Sequence, residues 1–303
     1  MIDPSGASHE AAAGAQKTNS ELAKNIRPED IRAASVRKAR RRSARRRQQL
    51  LWLTRALCLA VVLLAWQLSA SSGVVPEAFT SEPSHIGKDL WDFITTTGSW
   101  DLLGTTLFET LVGFFLSVLL GLIGGFILYQ SRFFADMVRP FISATNALPK
   151  IALAPLFVLW FGLGSESRII LVISLDFFII LINTYAGLQN SDRDLLLLGK
   201  SLGASRLTLL RKCVLPGAIP TLVAGFQLAL TYAFIAAIVG EMLSGNGGLG
   251  AEMSLNLASY HTGRFFAELT VLLLAATVAA SLMTILERRL LRWRVREVRG
   301  LVA

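Results

Sequence analysis

Residues 194–220, DLLLLGKSLGASRLTLLRKCVLPGAIP, decide the fold. They form the longest charged interruption in the apolar C-terminal half of the chain. One apolar run ends near Leu188 and the next restarts at Val214. Ser191, followed by Asp194, predicts a capped helix start, because a hydroxyl can take an orphan N–H and a carboxylate suits the positive helix end. Leu195, Leu198, Leu202 and Leu209 give an apolar face, while Lys200, Arg206, Arg211 and Lys212 require water or a partner. Gly203 predicts a left-handed helix end, and Ser205 predicts the cap of a second, short helix. Leu215-Pro216 then opens a long apolar run, with Pro216 suited to a first helical turn. The expected product is a helix–Gly–helix hairpin at a membrane surface, able to dock into something soluble.

Outward from this stretch, the 303 residues are 53% hydrophobic and only 17% charged, below the roughly 25% of a soluble domain. The apolar residues come in long blocks, which implies an integral membrane protein. The formal charge of +9 does not imply nucleic acid, since the basic residues crowd at the ends of apolar blocks, as topology demands. Residues 1–49 are expected to be a disordered, basic cytoplasmic tail. Within it, RAASVRKARRRSARRR (Arg32–Arg47) is expected to be a positive-inside anchor, the alternative being a binder of anionic lipid head groups or nucleic acid. The tail is too long, and the next apolar stretch too extended, for a cleavable signal peptide.

Residues 50–101 are expected to hold a first crossing, Leu50–Ser71, and an outer loop. Glu77, Glu82, Asp89, Asp92 and Asp101 stand in that loop against Lys88 alone, a balance that fits the outside. Residues 102–290 supply five further crossings. Leu102–Tyr129 carries Ser117, Gly121 and Gly125 four apart, a face on which another helix can approach closely, within the subunit or across a dimer. Phe141–Phe161 is interrupted by Asn146, Pro149, Lys150 and Pro155, which predicts a broken or kinked helix facing protein or water. Arg168–Leu188 contains Asp176 and Asn183, and Pro216–Leu243 contains Glu241. Phe265–Leu286 completes the set, and residues 291–303 form a basic cytoplasmic C-terminus. The expected fold class is therefore all-α and polytopic. It has six transmembrane helices, a cytoplasmic hairpin at residues 191–215, and both termini in the cytoplasm.

The hairpin resembles the cytoplasmic coupling loop, or EAA loop, of permease subunits of bacterial ABC importers. That pattern is Glu-Ala-Ala, three residues, Gly, then a hydrophobic residue, Leu-Pro and a second Pro. Gly203, Ala204, Val214, Leu215, Pro216 and Pro220 match it. Leu197, Leu198 and Gly199 stand where Glu-Ala-Ala would be, and Asp194 lies about one helical turn earlier on a similar face. LPKIALAPLFVLWFGLG (Leu148–Gly164) and GEMLSGNGGLG (Gly240–Gly250) are similar to the nitrate/sulfonate/taurine branch. The resemblance implies the type I importer permease fold and a homodimer of permease subunits in the inner membrane. It also implies ABC ATPase subunits, an extracytoplasmic solute-binding protein, and surrounding membrane lipid. ATP chemistry would belong to the partner, so the chain is expected to be neither an enzyme nor a holder of a cofactor. Asp194, Leu197, Gly203, Ala204, Leu215, Pro216 and Pro220 are then candidates for ATPase coupling. Asn146, Lys150, Asp176, Asn183 and Glu241, polar within apolar stretches, are candidates for the pathway. For Lys150, three roles stay open: snorkelling to the interface, pairing with Asp176, or attracting an anion at the pathway mouth.

Other function classes lack their residues. His9, His85 and His261 are far apart, and Cys58 and Cys213 are expected at different depths, so neither a metal site nor a disulfide is implied. Gly245–Gly250 (GNGGLG) matches G-x-G-x-x-G literally, but no strand precedes it, so a dinucleotide site is excluded. It is expected to be a flexible outer gate, a binding-protein contact, or a plain turn. The alternative to an importer subunit is a self-contained secondary transporter or channel. That would not need a coupling hairpin and would more often show a repeat.

Overall fold

The computed structural model describes residues 28–72 and 80–292, and of residues 28–47, 143, 146 and 147 the backbone alone. All secondary structure among the described residues is helical. The chain divides into two units, residues 1–68 and 69–303.

The first unit is dominated by α1, Pro28–Ser71. The tail expected to be disordered through residue 49 is thus helical from Pro28. The reason is compositional: residues 29–71 contain neither Gly nor Pro and are rich in Ala, Arg, Leu and Gln, good helix formers. The part of that expectation before residue 28 lies outside the described residues, as does the C-terminal stretch from 293. Residues 48–71 of α1 are long and apolar enough to span a bilayer, and Leu53, Leu57, Leu64 and Leu68 are all exposed.

The second unit is organised around α6, Ser165–Gln189. Helix α3, Thr97–Gln130, and helix α9, Leu215–Ser244, both pack along it. Buried Leu171, Val172, Leu175 and Ile180 of α6 meet Phe114 of α3 and Val223, Leu230, Ala233 and Ala237 of α9. Small residues set the spacing. A Cβ on Gly121 would come within 2.7 Å of Ile180, and one on Gly125 within 2.5 Å of Thr184. The small-residue face of α3 therefore packs within the chain. On the far side of α3, Phe115, Leu119, Ile123 and Ile127 are exposed, as lipid-facing residues are.

The segment before α6 is broken, as its prolines imply. Helix α4, Arg132–Ala147, is capped by the Ser131 hydroxyl, which accepts from the Phe134 N–H. It stops where Leu148 turns extended ahead of Pro149 (ψ 133°). A 3₁₀ turn, Lys150–Leu153, leads into the short α5, Ala154–Phe161, with Pro155 in its first turn. Gly162 ends α5 at φ 84°. Lys150–Phe161 spans only about 18 Å at ~1.5 Å per residue, short of a core of about 30 Å. Five described helices are long and apolar enough to cross a membrane, and the third expected crossing is this interrupted segment.

The expected loop over residues 72–101 is also partly helical. Helix α2, Pro83–Thr95, buries Phe93 and packs on α11, Thr262–Leu290, while α3 already starts at Thr97. Pro83 at the first turn and the spacing of Ile86, Leu90 and Phe93 explain it as an amphipathic helix. Helix α10, Leu249–Ala258, lies between α9 and α11.

The packing at Gly125 predicts a steric effect. Gly125→Leu should lower stability by about 1–3 kcal/mol, because the Leu181 carbonyl lies 2.9 Å from the new Cβ and cannot retreat. Gly104→Leu, with nothing within 4 Å of its Cβ, should leave stability unchanged. Thermal unfolding of the detergent-purified protein compares the two. Equal midpoints would show that α3 and α6 do not meet as described.

Candidate functional site: a coupling hairpin and a buried charge cluster

At one end of the bundle, α6 gives way to α7, Arg193–Ser201. The cap is Asp192 rather than Ser191. Its Oδ1 accepts from the N–H groups of Asp194 at 2.9 Å and Leu195 at 3.5 Å, while Ser191 Oγ donates backward to the Leu188 carbonyl. A carboxylate one residue nearer the helix takes the orphan N–H groups, so the hydroxyl is free to close α6. At the other end of α7, Gly203 sits at φ 75°. Its N–H donates to the Lys200 carbonyl and that of Ala204 to the Gly199 carbonyl, both at 3.0 Å. This is the Schellman arrangement, which a left-handed glycine permits.

Ser205 then caps α8, Arg206–Leu209, accepting from the Thr208 N–H. Helix α8 is not separate: a π turn, Leu210–Val214, carries it directly into α9. The wider turn suits Pro216, whose ring would otherwise press on the carbonyl four residues back. Leu209 packs against Gly199, where a Cβ would come within 2.5 Å of its Cδ2, so the two arms touch. Leu188, Val214 and Ala218 form a small core beneath them, with Tyr129, Leu196 and Leu210 against it. Leu197 is 61% exposed and Leu202 77%, and Asp194, Leu195, Leu198 and Leu207 are exposed beside them. Ala204, Pro216 and Pro220 are half-buried and Leu215 is exposed. The hairpin therefore presents a leucine surface without a covering element among the described residues.

At the opposite end lies a buried charge cluster. Glu241, at the end of α9, is fully buried. It accepts from Thr106 Oγ1 of α3 (2.8 Å to Oε1) and from the Gly250 N–H (2.7 Å to Oε2). Thr106 Oγ1 also accepts from the Leu249 N–H at 2.9 Å. Arg168 of α6 pairs with Glu109 of α3 at 3.2 Å and donates to the Gly247 carbonyl at 3.0 Å. That ion pair is close but poorly aligned, so neither Glu109 oxygen completes a hydrogen bond. The glycine-rich turn closes over the cluster, with Gly245, Gly247 and Gly248 at positive φ. A Cβ on Gly248 would collide with the Glu241 carboxylate. The turn is thus a fitted cap on buried charge. At Gly248 and Gly250 a side chain would meet the Glu241 carboxylate, while Gly245 and Gly247 have open space and are favoured by their positive φ.

The candidate pathway residues do not converge. Glu241 belongs to the cluster just described. Asn183 is half-buried and its Nδ2 donates to the Ile179 carbonyl at 2.8 Å, while Gly225 of α9 rests against its side chain. Asn146 lies among the residues described by backbone alone. Lys150 and Asp176 are neighbours without a direct bond. Asp176 is fully buried and neither of its oxygens has a hydrogen-bond partner. The Lys150 ammonium instead stands 4.6 Å from the centre of the Phe178 ring, a cation–π distance. Lys150 also lines a cavity of about 360 Å³ with Leu175, Leu228 and Tyr232. Sequence reading missed Thr106, Glu109 and Arg168. The signal was present for the two charged ones, since each is an ionisable residue inside or near the start of an apolar helix. Thr106 carried no such signal.

Comparison with known proteins agrees with this architecture. Residues 117–292 match the family described as "Binding-protein-dependent transport system inner membrane component". The riboflavin transport system permease protein RibX of Chloroflexus aurantiacus is 32% identical over 78% of this chain and 88% of its own length. The putative aliphatic sulfonates transport permease protein SsuC of Escherichia coli K12 is 31% identical over 77% of this chain and 88% of its own. Among solved structures, a chain of the inward-facing MetNI methionine ABC transporter superposes with a TM-score of 0.51. It covers 65% of this chain and 98% of that one at 20% identity, a likeness of fold.

Removing Arg168 strands the carboxylates it faces. Arg168→Met should cost about 3–5 kcal/mol, the range for breaking a buried pair from one side. Arg168→Met combined with Glu109→Leu should recover much of the loss. Thermal unfolding and monodispersity of the purified variants test this, and a double variant as unstable as the sum of the two singles would show that the residues do not act together.

Proposed function

Because the chain belongs to the family of binding-protein-dependent transport system inner membrane components, the permease subunits of ABC importers, we propose that the hairpin at residues 191–215 receives the stroke of an ABC ATPase. The family is one of transport permeases rather than catalysts. ATP hydrolysis then resides in a separate subunit, and this chain converts that subunit's closure into alternating access. The observation that carries the reading is the leucine surface of α7 and α8, held in place by the Gly203 turn and left open to a partner. Leu197 replaces the family's acidic position, so docking rests on apolar contact, with Asp194 as the nearby carboxylate. A secondary transporter would leave this surface without a purpose.

The hairpin end faces the cytoplasm on this reading, and the charge cluster with its glycine cap faces outward. The basic run of α1 and the arginines after Leu286 support a cytoplasmic position for both termini. Two copies face each other across the pathway in a homodimer, with lipid around the exposed leucines and phenylalanines. The cargo is a small solute of the kind the relatives' names specify, such as a sulfonate, with nitrate and taurine in the same class. Lys150, which lines a cavity, and its buried neighbour Asp176 are the pathway candidates with the strongest physical claim.

Two experiments test these assignments. Gly203→Val strains a left-handed turn by about 1–2 kcal/mol, whereas Asn tolerates that conformation. Gly203→Val should insert in the membrane but lose co-purification of the ATPase and lose transport, and Gly203→Asn should keep both. Equal retention by the two variants would remove the hairpin from the coupling path. Reporter fusions at Glu82, Gly164 and Gly250 should respond as outside, and those at Asp136, Lys200 and Arg292 as inside. A cytoplasmic signal at Gly250 would invert or break the topology.

A further inference from the structure

Helix α2, the start of α3, α10 and the first turns of α11 line a cavity of about 240 Å³ that the coupling reading does not use. Four carboxylates line it, Asp89 and Asp92 from α2, Glu252 from α10 and Glu268 from α11, against one guanidinium, Arg264. Glu268 is 4% exposed. Asn256 Nδ2 donates to its Oε1 at 2.7 Å, but its Oε2 has no hydrogen-bond partner. A buried carboxylate oxygen without a donor is costly, and the wall of an acidic cavity is where an incoming donor would satisfy it. Asp92 and Arg264 are exposed and Asp89 and Glu252 half-exposed, so the cavity opens outward from that buried oxygen.

The occupant must be cationic and a hydrogen-bond donor. It is not a bare metal ion, because among the described residues no three His, Cys, Asp or Glu side chains lie close enough to hold one. The cavity is also below the roughly 300–1,000 Å³ of pockets that enclose a drug-sized ligand, so the occupant is a small group. An ammonium or guanidinium at the end of a long side chain fits both limits, because each carries several N–H donors and no acceptor. Next to the acidic cavity lies a second hollow lined by Lys88, His85 and His261, which shares Asp89 and Arg264 with it. A surface that places negative and positive hollows side by side sets the register of a docking protein better than it holds a free ion.

We infer that this cavity receives a lysine or arginine side chain of the extracytoplasmic solute-binding protein. The inference rests on the outward assignment of this end of the bundle made under the proposed function. The Glu268 carboxylate is the inner acceptor, and Asp89, Asp92 and Glu252 are the attracting rim.

The experiment uses the intact permease–ATPase complex in nanodiscs and the solute-binding protein that supports transport through it when the two are co-expressed. Asp92→Asn and Glu252→Gln, at accessible positions, should each weaken binding about tenfold, slow association and flatten its salt dependence. Glu252→Lys should abolish binding, and a lysine- or arginine-to-glutamate change on the binding protein should restore it. Thermal unfolding checks that each variant keeps the wild-type fold. Glu268→Gln should weaken binding with an unchanged unfolding midpoint. Wild-type affinity and salt dependence in both Asp92→Asn and Glu252→Gln would overturn the inference while leaving the importer reading intact. Failure of the wild-type complex to bind the protein at all would overturn both. Argininamide is the probe for a free cation: saturable binding and transport of it without the binding protein would make the cavity a solute site and overturn docking.

Discussion

A helix bundle in a bilayer gains little from burying apolar surface against apolar lipid, so its cohesion depends on how closely backbones approach. In this chain that constraint falls on α6. Gly113, Gly121 and Gly125 of α3 meet Val172, Ile180 and Thr184, and Gly225 of α9 meets Asn183. Each contact puts a side chain of α6 where the neighbour has none. The three helices are thereby held along their length by dispersion contacts that one methylene would disturb. The apolar residues facing away from α6 carry no such demand, and they stay exposed to whatever surrounds the bundle.

The two ends of this three-helix core are finished in different chemistry. At the hairpin end the core is apolar, with Leu188, Val214 and Ala218 under the arms of α7 and α8. The opposite end is charged, with Glu109, Arg168 and Glu241 drawn from three helices and closed by glycine backbone. Two carboxyl groups there face a single guanidinium, and that imbalance needs further donors. The Gly250 N–H and the Thr106 hydroxyl offset it by hydrogen bonding to Glu241. Buried charge is a poor source of stability but a specific one, because only one register of α3, α6 and α9 satisfies it. Glycine contacts along the helices and charge at one end thus fix position in complementary ways.

Much of this was legible in the sequence where backbone chemistry is local. Gly203 declared a left-handed turn, Ser205 a cap, and Pro149 and Pro155 a break, because each follows from what one residue's backbone can adopt. The Ser191 cap failed for an equally local reason: Asp192 competes for the same N–H groups and wins. Helix α2 was missed because an amphipathic helix of 13 residues has little to distinguish it from a polar loop until Phe93 finds α11. The charge cluster depends on residues as distant as Thr106 and Glu241, and spacing along a chain does not encode such contacts. The pathway candidates suffered the same limit. Polarity within an apolar run marked Asn183 and Asp176 alike, yet Asn183 is committed to its own helix while Asp176 has no partner.

Helix continuity gives the two ends a mechanical connection. From Arg206 through Ser244 the backbone stays helical for 39 residues, about 58 Å at ~1.5 Å per residue. One end of that rod is the second arm of the hairpin, and the other holds Glu241 under the glycine cap. Displacement of the hairpin must therefore move Glu241, unless the rod yields. It has two places to yield, the π turn at Leu210–Val214 and Pro220, where a ladder hydrogen bond is missing. Both lie within about four turns of the hairpin, and the remaining length to Ser244 has no proline. Only tilt that those two joints do not absorb is passed on, through a stiff segment packed against α6. At its far end it acts on a carboxylate whose acceptors are already committed to Thr106 and Gly250. A small change of angle there would break those bonds before it could be absorbed, and the glycine cap would be released from the end of α9.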